Sequence, residues 1–197
     1  MQVIKKEIRD AILESAKTEF ARRGFSGASI RAIAAGARTS VGNLYKYYAG
    51  KEELFLALVL PVTDECIGMV SRTFDIANEN LDDDAAYMAD YVSRNREIFR
   101  ILTSGPPEHY TAFLNRFVGC VSVKLRDFAC REAPEAVAGI RNPAFFDAVA
   151  AGYVGGLRPI MEDFTDVKTT KTYIVELMNF MFGDFVRRLP AGGPEAD

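Results

Sequence analysis

Apolar residues return every three or four positions along almost the whole chain, and this period limits the fold more than any other feature. Ile8, Ile12, Ala16 and Phe20 form one stripe at a spacing of four, the pattern of an amphipathic helix. Gly24 follows as a stop signal. Ser29 is placed to cap a short helix, IRAIAAGA, whose Ile30, Ile33, Ala34 and Ala37 make the inward face. Ser40 is placed to cap the next, VGNLYKYY, and after the turn AGK a longer helix begins near Lys51. LDDDAAYMADYVSRN opens with three aspartates, which suit the positive end of a helix. REIFRILTS is stopped by Gly105-Pro106-Pro107, and the long periodic segment after it is ended by Pro134. Two further helices are read in PAFFDAVAAGYVGGLRPIMEDF and TTKTYIVELMNFMFGDFVRRL. No strand-like alternation of useful length occurs, and no repeat of roughly 20–50 residues. The pattern predicts an all-α fold of about nine helices. A three-helix head spans residues 1–50, a larger helical bundle spans 51–190, and 191–197 form a flexible tail.

Composition narrows the class. Of 197 residues, 49% are hydrophobic, enough for a sizeable core and against bulk disorder. The three cysteines, Cys66, Cys120 and Cys130, are an odd count without CxxC spacing. That argues against a disulfide framework and a zinc site, and for thiols of a reducing compartment. The first ten residues contain no apolar segment of signal-peptide type. The longest uninterrupted apolar run, Leu54 to Val62, is about half the roughly 20 residues of a membrane span. These features predict a soluble, cytoplasmic protein without a membrane partner. With one histidine, no Glu-x-x-His pair and no phosphate loop, no triad or di-metal site assembles, so neither an enzyme nor a metal or cofactor site is expected.

Charge is uneven. Met1 to Lys51 carry ten Lys/Arg against four Asp/Glu, net +6. Glu52 to Asp197 carry fourteen against twenty-three, net −9, so the whole chain is −3. A basic head on an acidic body suggests a polyanion as partner, with nucleic acid first.

The third short helix shows how such a head would read DNA. With Leu44 at zero and about 100° per residue, Val41, Leu44 and Tyr48 fall within a ~60° arc that packs inward. Gly42, Asn43 and Lys46 lie opposite, with Tyr45 and Tyr47 on the flanks. A glycine in an exposed first turn weakens the helix but lets a large partner approach. Short polar side chains reach base edges, while phenols and lysines reach phosphates. Tight packing within the chain would explain the same glycine.

Residues ~8–58 resemble the N-terminal domain of the TetR (tetracycline repressor) family of transcriptional regulators. The resemblance is carried by Ala16, Phe20, Gly24, Phe25, Ser29, Ile30, Ile33, Ala34, Ala37, Ser40, Gly42, Leu44, Tyr45, Tyr47, Tyr48, Lys51, Glu52 and Leu54. It implies that Ser40, Val41, Asn43 and Lys46 face a DNA groove beside Gly42. It also implies that Tyr45 and Tyr47 touch phosphates and that Ser29, Lys51 and Arg31 anchor the backbone. Two positions depart from the family pattern, which has glycine and then an aliphatic residue in the turn. Here they are Arg38 and Thr39. Arg38 must then take a left-handed conformation, or the turn differs; its side chain could also reach a phosphate.

The resemblance further implies a homodimer on a near-palindromic operator, with reading helices about 34 Å apart, and a seam formed by the last two helices. Ala148, Gly152 and Gly156 at i, i+4 and i+8, with Ala151 and Gly155 beside them, offer a close-approach face. Tyr173, Leu177, Phe180, Met181 and Phe185 are the matching residues of the final helix, although an ordinary core uses the same pattern. A small-molecule effector, apolar or aromatic, is expected among Met69, Tyr87, Met88, Tyr91, Phe99, Tyr110, Phe113 and Phe117. Asn95, His109 and Asn115 are its polar candidates; core packing explains the same spacing. Pro61, inside the joining helix, is expected to kink or break it. The implied function is a ligand-responsive repressor. The alternative is a helical adaptor that has lost operator binding.

Overall fold

The computed structural model describes residues 2–73, 81–162 and 166–189. Among these there are ten α-helices and no strand: α1 (Gln2–Gly27), α2 (Ile30–Gly36), α3 (Val41–Leu44), α4 (Lys51–Thr73), α5 (Leu81–Arg94), α6 (Arg96–Thr103), α7 (Pro107–Glu132), α8 (Pro134–Ala138), α9 (Phe145–Glu162) and α10 (Val167–Phe182). A 3-10 turn, Phe185–Arg188, follows. The tail expected at 191–197 lies outside the described residues. The helices gather into two compact units. The first holds the residues up to Glu65 together with Asn95–Thr111; the second holds Cys66–Arg94 and the residues from Ala112 on.

In the first unit, the stripe of α1 buries Ile12, Ala16 and Phe20 against α2 and α6. The partner residues are Ile33 and Ala34 of α2, and Ile98, Phe99, Ile101 and Leu102 of α6. Gly24 interrupts α1 with φ 67 and ψ 171, which turns Phe25 back onto Phe20 at a ring separation of 5.8 Å. Phe55 of α4 closes the group, 6.1 Å from Phe20 and 5.3 Å from Phe25, both edge-on. Lys17 of α1 pairs with Glu97 of α6 at 2.9 Å.

Helix α4 is continuous through Pro61, so of the two expected outcomes, a kink or a break, the break does not occur. Pro61 itself is exposed, on the side of α4 away from its buried apolar residues. By length and composition alone α4 could cross a membrane. Its apolar residues Leu54, Phe55, Val59, Met69 and Val70 are buried instead, and Glu52, Glu53, Asp64 and Glu65 are exposed. This is the distribution of a core helix.

The second unit packs α10 against α5 and α9. Its core comes from Ala85, Ala89 and Val92 of α5, Phe117, Val121 and Leu125 of α7, Tyr153, Val154 and Leu157 of α9, and Ile174, Met178 and Phe182 of α10. Both ends of α10 are capped. Asp166 accepts hydrogen bonds from the Thr169 N–H at 2.9 Å and the Thr169 hydroxyl at 2.8 Å. Arg188 donates to the carbonyls of Met181 and Gly183, each at 2.7 Å. A cation on the last carbonyls satisfies both their lone pairs and the helix dipole.

Glu19 joins α1 to the entrance of α2. Its carboxylate is buried, 3.0 Å from Arg22 and 3.4 Å from Arg23. The Arg22 hydrogen bond, the two guanidinium charges and the Ser29 N–H hold it below the ordinary carboxylate value of 4.5. The ionised form therefore favours the folded state. Its contribution is full above the ordinary value and disappears as pH falls through the lowered one. Glu19→Gln should lower the urea midpoint at neutral pH, and the gap from wild type should close in acid. A gap independent of pH would remove this role.

Candidate functional site

The segment from Ser29 to Lys51 is a helix, a tight turn and a second short helix. Ser29 has extended backbone, φ −126 and ψ 139, and its Oγ accepts from the Ala32 N–H at 3.1 Å. At the end of α2 the Thr39 N–H reaches the Ala34 carbonyl at 2.9 Å, and the Arg38 N–H reaches Ala35 at 3.0 Å. This pair of bonds is a Schellman motif with Arg38 at its left-handed position, φ 52. The departure read in the sequence is therefore real strain, yet the turn itself forms.

Ser40 then caps α3, accepting from the Asn43 N–H at 3.1 Å. The Asn43 side-chain amide donates to the Thr39 hydroxyl at 2.8 Å. Thr39 thus ties the turn to the first turn of α3, where the family pattern has only an aliphatic residue. The α-helical part of α3 is shorter than expected, ending at Leu44. Lys46 and Tyr47 bond back three residues, to Asn43 and Leu44, at 3.1 and 2.9 Å. Glycine and a run of tyrosines have weak helix propensity, so the last turn tightens.

Leu44 and Tyr48 are buried at 0% and 2% exposure and hold α3 down. The Tyr48 hydroxyl accepts from Arg9 Nε at 3.2 Å, and the Arg9 guanidinium lies 5.9 Å from that ring. Sequence reasoning missed Arg9, since nothing in its spacing links it to Tyr48, 39 residues away. Gly42, Tyr45, Lys46, Ser29, Arg31, Arg38 and Ser40 are exposed; Thr39, Val41, Asn43 and Tyr47 are half-buried. A Cβ placed on Gly42 would meet nothing within 4 Å. Packing within the chain therefore does not account for this glycine.

Lys51 behaves differently from the anchor that the resemblance implies. Its ammonium is shared between the Ser26 and Ala28 carbonyls, each at 3.3 Å, and lies 4.7 Å from the Phe25 ring centroid. It staples the start of α4 to the α1–α2 connection. A phosphate would have to draw it away from these partners.

In the second unit a small, mostly apolar cavity of about 40 Å³ lies among Val70, Asp84, Ala85, Met88, Phe117, Tyr153, Leu157, Ile174 and Met178. Only Met88 and Phe117 belong to the expected effector set. Met69 and Phe113 are buried without lining it, Tyr91 is half-buried, and Tyr87 is exposed. Asn95, Phe99, His109 and Tyr110 belong to the first unit and take no part in this cavity. The α9 and α10 residues of the lining were missed because the sequence reading assigned those helices to a dimer seam. The pairs Tyr153/Leu157 and Ile174/Met178, each spaced by four, were the available signal. Burial pushes the Tyr153 phenol above its usual value, so it stays protonated as a donor.

Within the expected seam, Gly156, Tyr173, Leu177 and Phe185 are engaged inside the unit. The Tyr173 hydroxyl donates to the Gly156 carbonyl at 2.8 Å. A Cβ on Gly156 would lie 3.0 Å from Leu177, so this glycine serves the approach of α9 to α10. Phe185 is buried 6.1 Å from Phe182. Met181 is half-buried, while Ala148, Gly152 and Gly155 are exposed and Phe180 is 78% exposed.

Relief of the Arg38 strain is measurable. A left-handed non-glycine costs ~1–2 kcal/mol, partly offset by the greater entropy of glycine when unfolded, so Arg38→Gly should stabilise the protein by roughly 0.5–1 kcal/mol. Urea denaturation checks this; a loss of stability would show that the Arg38 side chain is needed for folding.

Residues 12–58 match the family described as "Bacterial regulatory proteins, tetR family". The HTH-type transcriptional repressor SCO4008 of Streptomyces coelicolor is 41% identical over a stretch covering 32% of this chain and 39% of that protein. The HTH-type transcriptional repressor AcnR of Corynebacterium glutamicum is 31% identical over 50% of this chain and 52% of its own length. The chain thus spans about two-fifths and one half of these curated relatives. Among solved structures, Salmonella enterica GusR superposes with a TM-score of 0.66 at 17% identity, covering 89% of this chain and 94% of that one. The TetR family transcriptional regulator PfmR of Thermus thermophilus superposes with a TM-score of 0.63 at 19% identity, covering 85% and 97%. The Ser29–Lys51 helix-turn-helix therefore lies in a TetR-family N-terminal domain, on a chain with the fold of these solved proteins.

Proposed function

We propose that the protein is a ligand-responsive, DNA-binding transcriptional regulator that represses from a near-palindromic operator as a homodimer. The observation that carries this reading is Gly42. It is exposed on the first turn of a Ser40-capped helix, and no atom of its own chain needs the space left by the missing side chain. A partner that approaches the backbone does need it. The relatives' names support repression: both curated relatives are called transcriptional repressors.

In this reading Ser40, Val41, Asn43 and Lys46 face base edges, while Tyr45, Tyr47, Arg31 and Arg38 reach phosphates. Thr39 orients Asn43, and Ser29 caps the supporting helix. The head works in the cytoplasm, without catalysis. The effector is a small apolar molecule held in the second unit's cavity, near Met88, Phe117 and Tyr153. It acts by favouring one of two head spacings. Phe180, on the same molecule as the exposed Ala148, Gly152 and Gly155, supplies the apolar anchor of the dimer seam.

Gly42→Ala separates DNA approach from folding. Alanine should keep or raise stability by up to ~1 kcal/mol through helix propensity. Affinity for DNA flanking the protein's own gene should fall about tenfold or more, equivalent to ~1.4 kcal/mol. Gel shifts at two salt concentrations read this, because specific binding carries a steep salt slope. Unchanged affinity in Gly42→Ala, or no specific shift by the wild type, would favour the adaptor reading. Phe180→Glu should convert the dimer to monomer in sedimentation; an intact dimer places the seam elsewhere.

A further inference from the structure

The lone histidine of the chain meets two carboxylates in the first unit. His109 Nε2 lies 2.7 Å from Glu52 Oε1, and a Glu108 oxygen is close enough that all three donor atoms fall within 4.8 Å of one another. Glu52 comes from the first turn of α4, and Glu108 and His109 from the first turn of α7. The imidazole is held in place. Its ring packs on Phe55 at 5.4 Å and 36°, and its side chain is 21% exposed. Glu52 and Glu108 are both exposed, and among the described residues neither has a lysine or arginine partner.

We propose that Glu52, Glu108 and His109 bind one divalent transition-metal ion of the zinc class. Bonds of ~2.0–2.2 Å to nitrogen and oxygen set donors of one ion about 3–4 Å apart. Rotation of two exposed glutamate side chains around a fixed imidazole reaches that spacing. One nitrogen and two carboxylate oxygens form a mixed set that suits zinc or its neighbours in the transition series. Calcium takes about six to eight oxygens and magnesium keeps most of its water. With neutral imidazole the cluster carries two negative charges, which a divalent ion neutralises. The ion takes the place of the hydrogen in the present Nε2–Glu52 contact, and the ring carries its hydrogen on Nδ1 instead. Three protein ligands leave positions for water. Bound metal would join the start of α4 to the start of α7 inside one unit and raise its stability by linkage.

The test uses the full chain and Zn²⁺ alone, by titration calorimetry in a non-coordinating buffer, with Co²⁺ absorption to identify the donors. Wild type should take up one equivalent without a thiolate charge-transfer band. His109→Ala should abolish uptake. Glu108→Gln should weaken it by more than the ~10–100-fold typical of losing an outer-shell partner. Its melting temperature without metal should be unchanged, because Glu108 has no partner to lose. No uptake by wild type, equal uptake by His109→Ala, or a thiolate band from Cys66, Cys120 or Cys130 overturns the site. None of these readouts depends on operator binding.

Discussion

The contact among Phe20, Phe25 and Phe55 organises the first unit. Each ring comes from a different place: the end of α1, the turn after Gly24, and the second turn of α4. Aromatic rings bury large areas and prefer these offset and edge-on arrangements. The knot therefore fixes where α4 begins relative to α1 and α2. Lys51 adds to it from above, with its ammonium near the Phe25 ring and on two carbonyls of the α1–α2 connection. His109 rests on the far side, against Phe55. The short helix α3 follows α2 and leads into α4, so its seat depends on both ends of this arrangement.

Helix α3 itself is a weak element in a strong frame. Four residues cannot sustain a helix alone, because nucleation is unfavourable. It exists because Ser40 caps it, Thr39 and Asn43 lock its entry, and Leu44 and Tyr48 are buried under it. This leaves its outer surface free of structural duty. Gly42 and Lys46 sit there with open surroundings, and Tyr45 is half exposed. The strained Arg38 belongs to the same economy: the two Schellman bonds hold a conformation that arginine alone would avoid.

Most of the head was legible in sequence because its signals are local. Capping by Ser29 and Ser40, the stop at Gly24 and the left-handed Arg38 all depend on neighbours within five residues. The inward placement of Leu44 and Tyr48 follows from one helical period. The cavity of the second unit was not legible. Its walls come from α4, α5, α7, α9 and α10, and apolar residues at helical spacing look the same whether they fill a core or line a space. The continuity of α4 was not legible, because a proline inside a helical run can bend the helix or end it, and residue type alone does not choose between these.

The sequence by itself determined the helical class, the caps and turn of the head, and the basic character of its first 51 residues, since all of these rest on residue type and short-range spacing. Tertiary structure decided what distant side chains meet. It placed Lys51 on the carbonyls of Ser26 and Ala28 and Arg9 on Tyr48. It also set His109 beside Glu52, 57 positions away. No spacing rule relates such residues. Their encounter follows from how the helices bury their apolar faces, which is a property of the packed unit and not of any one segment.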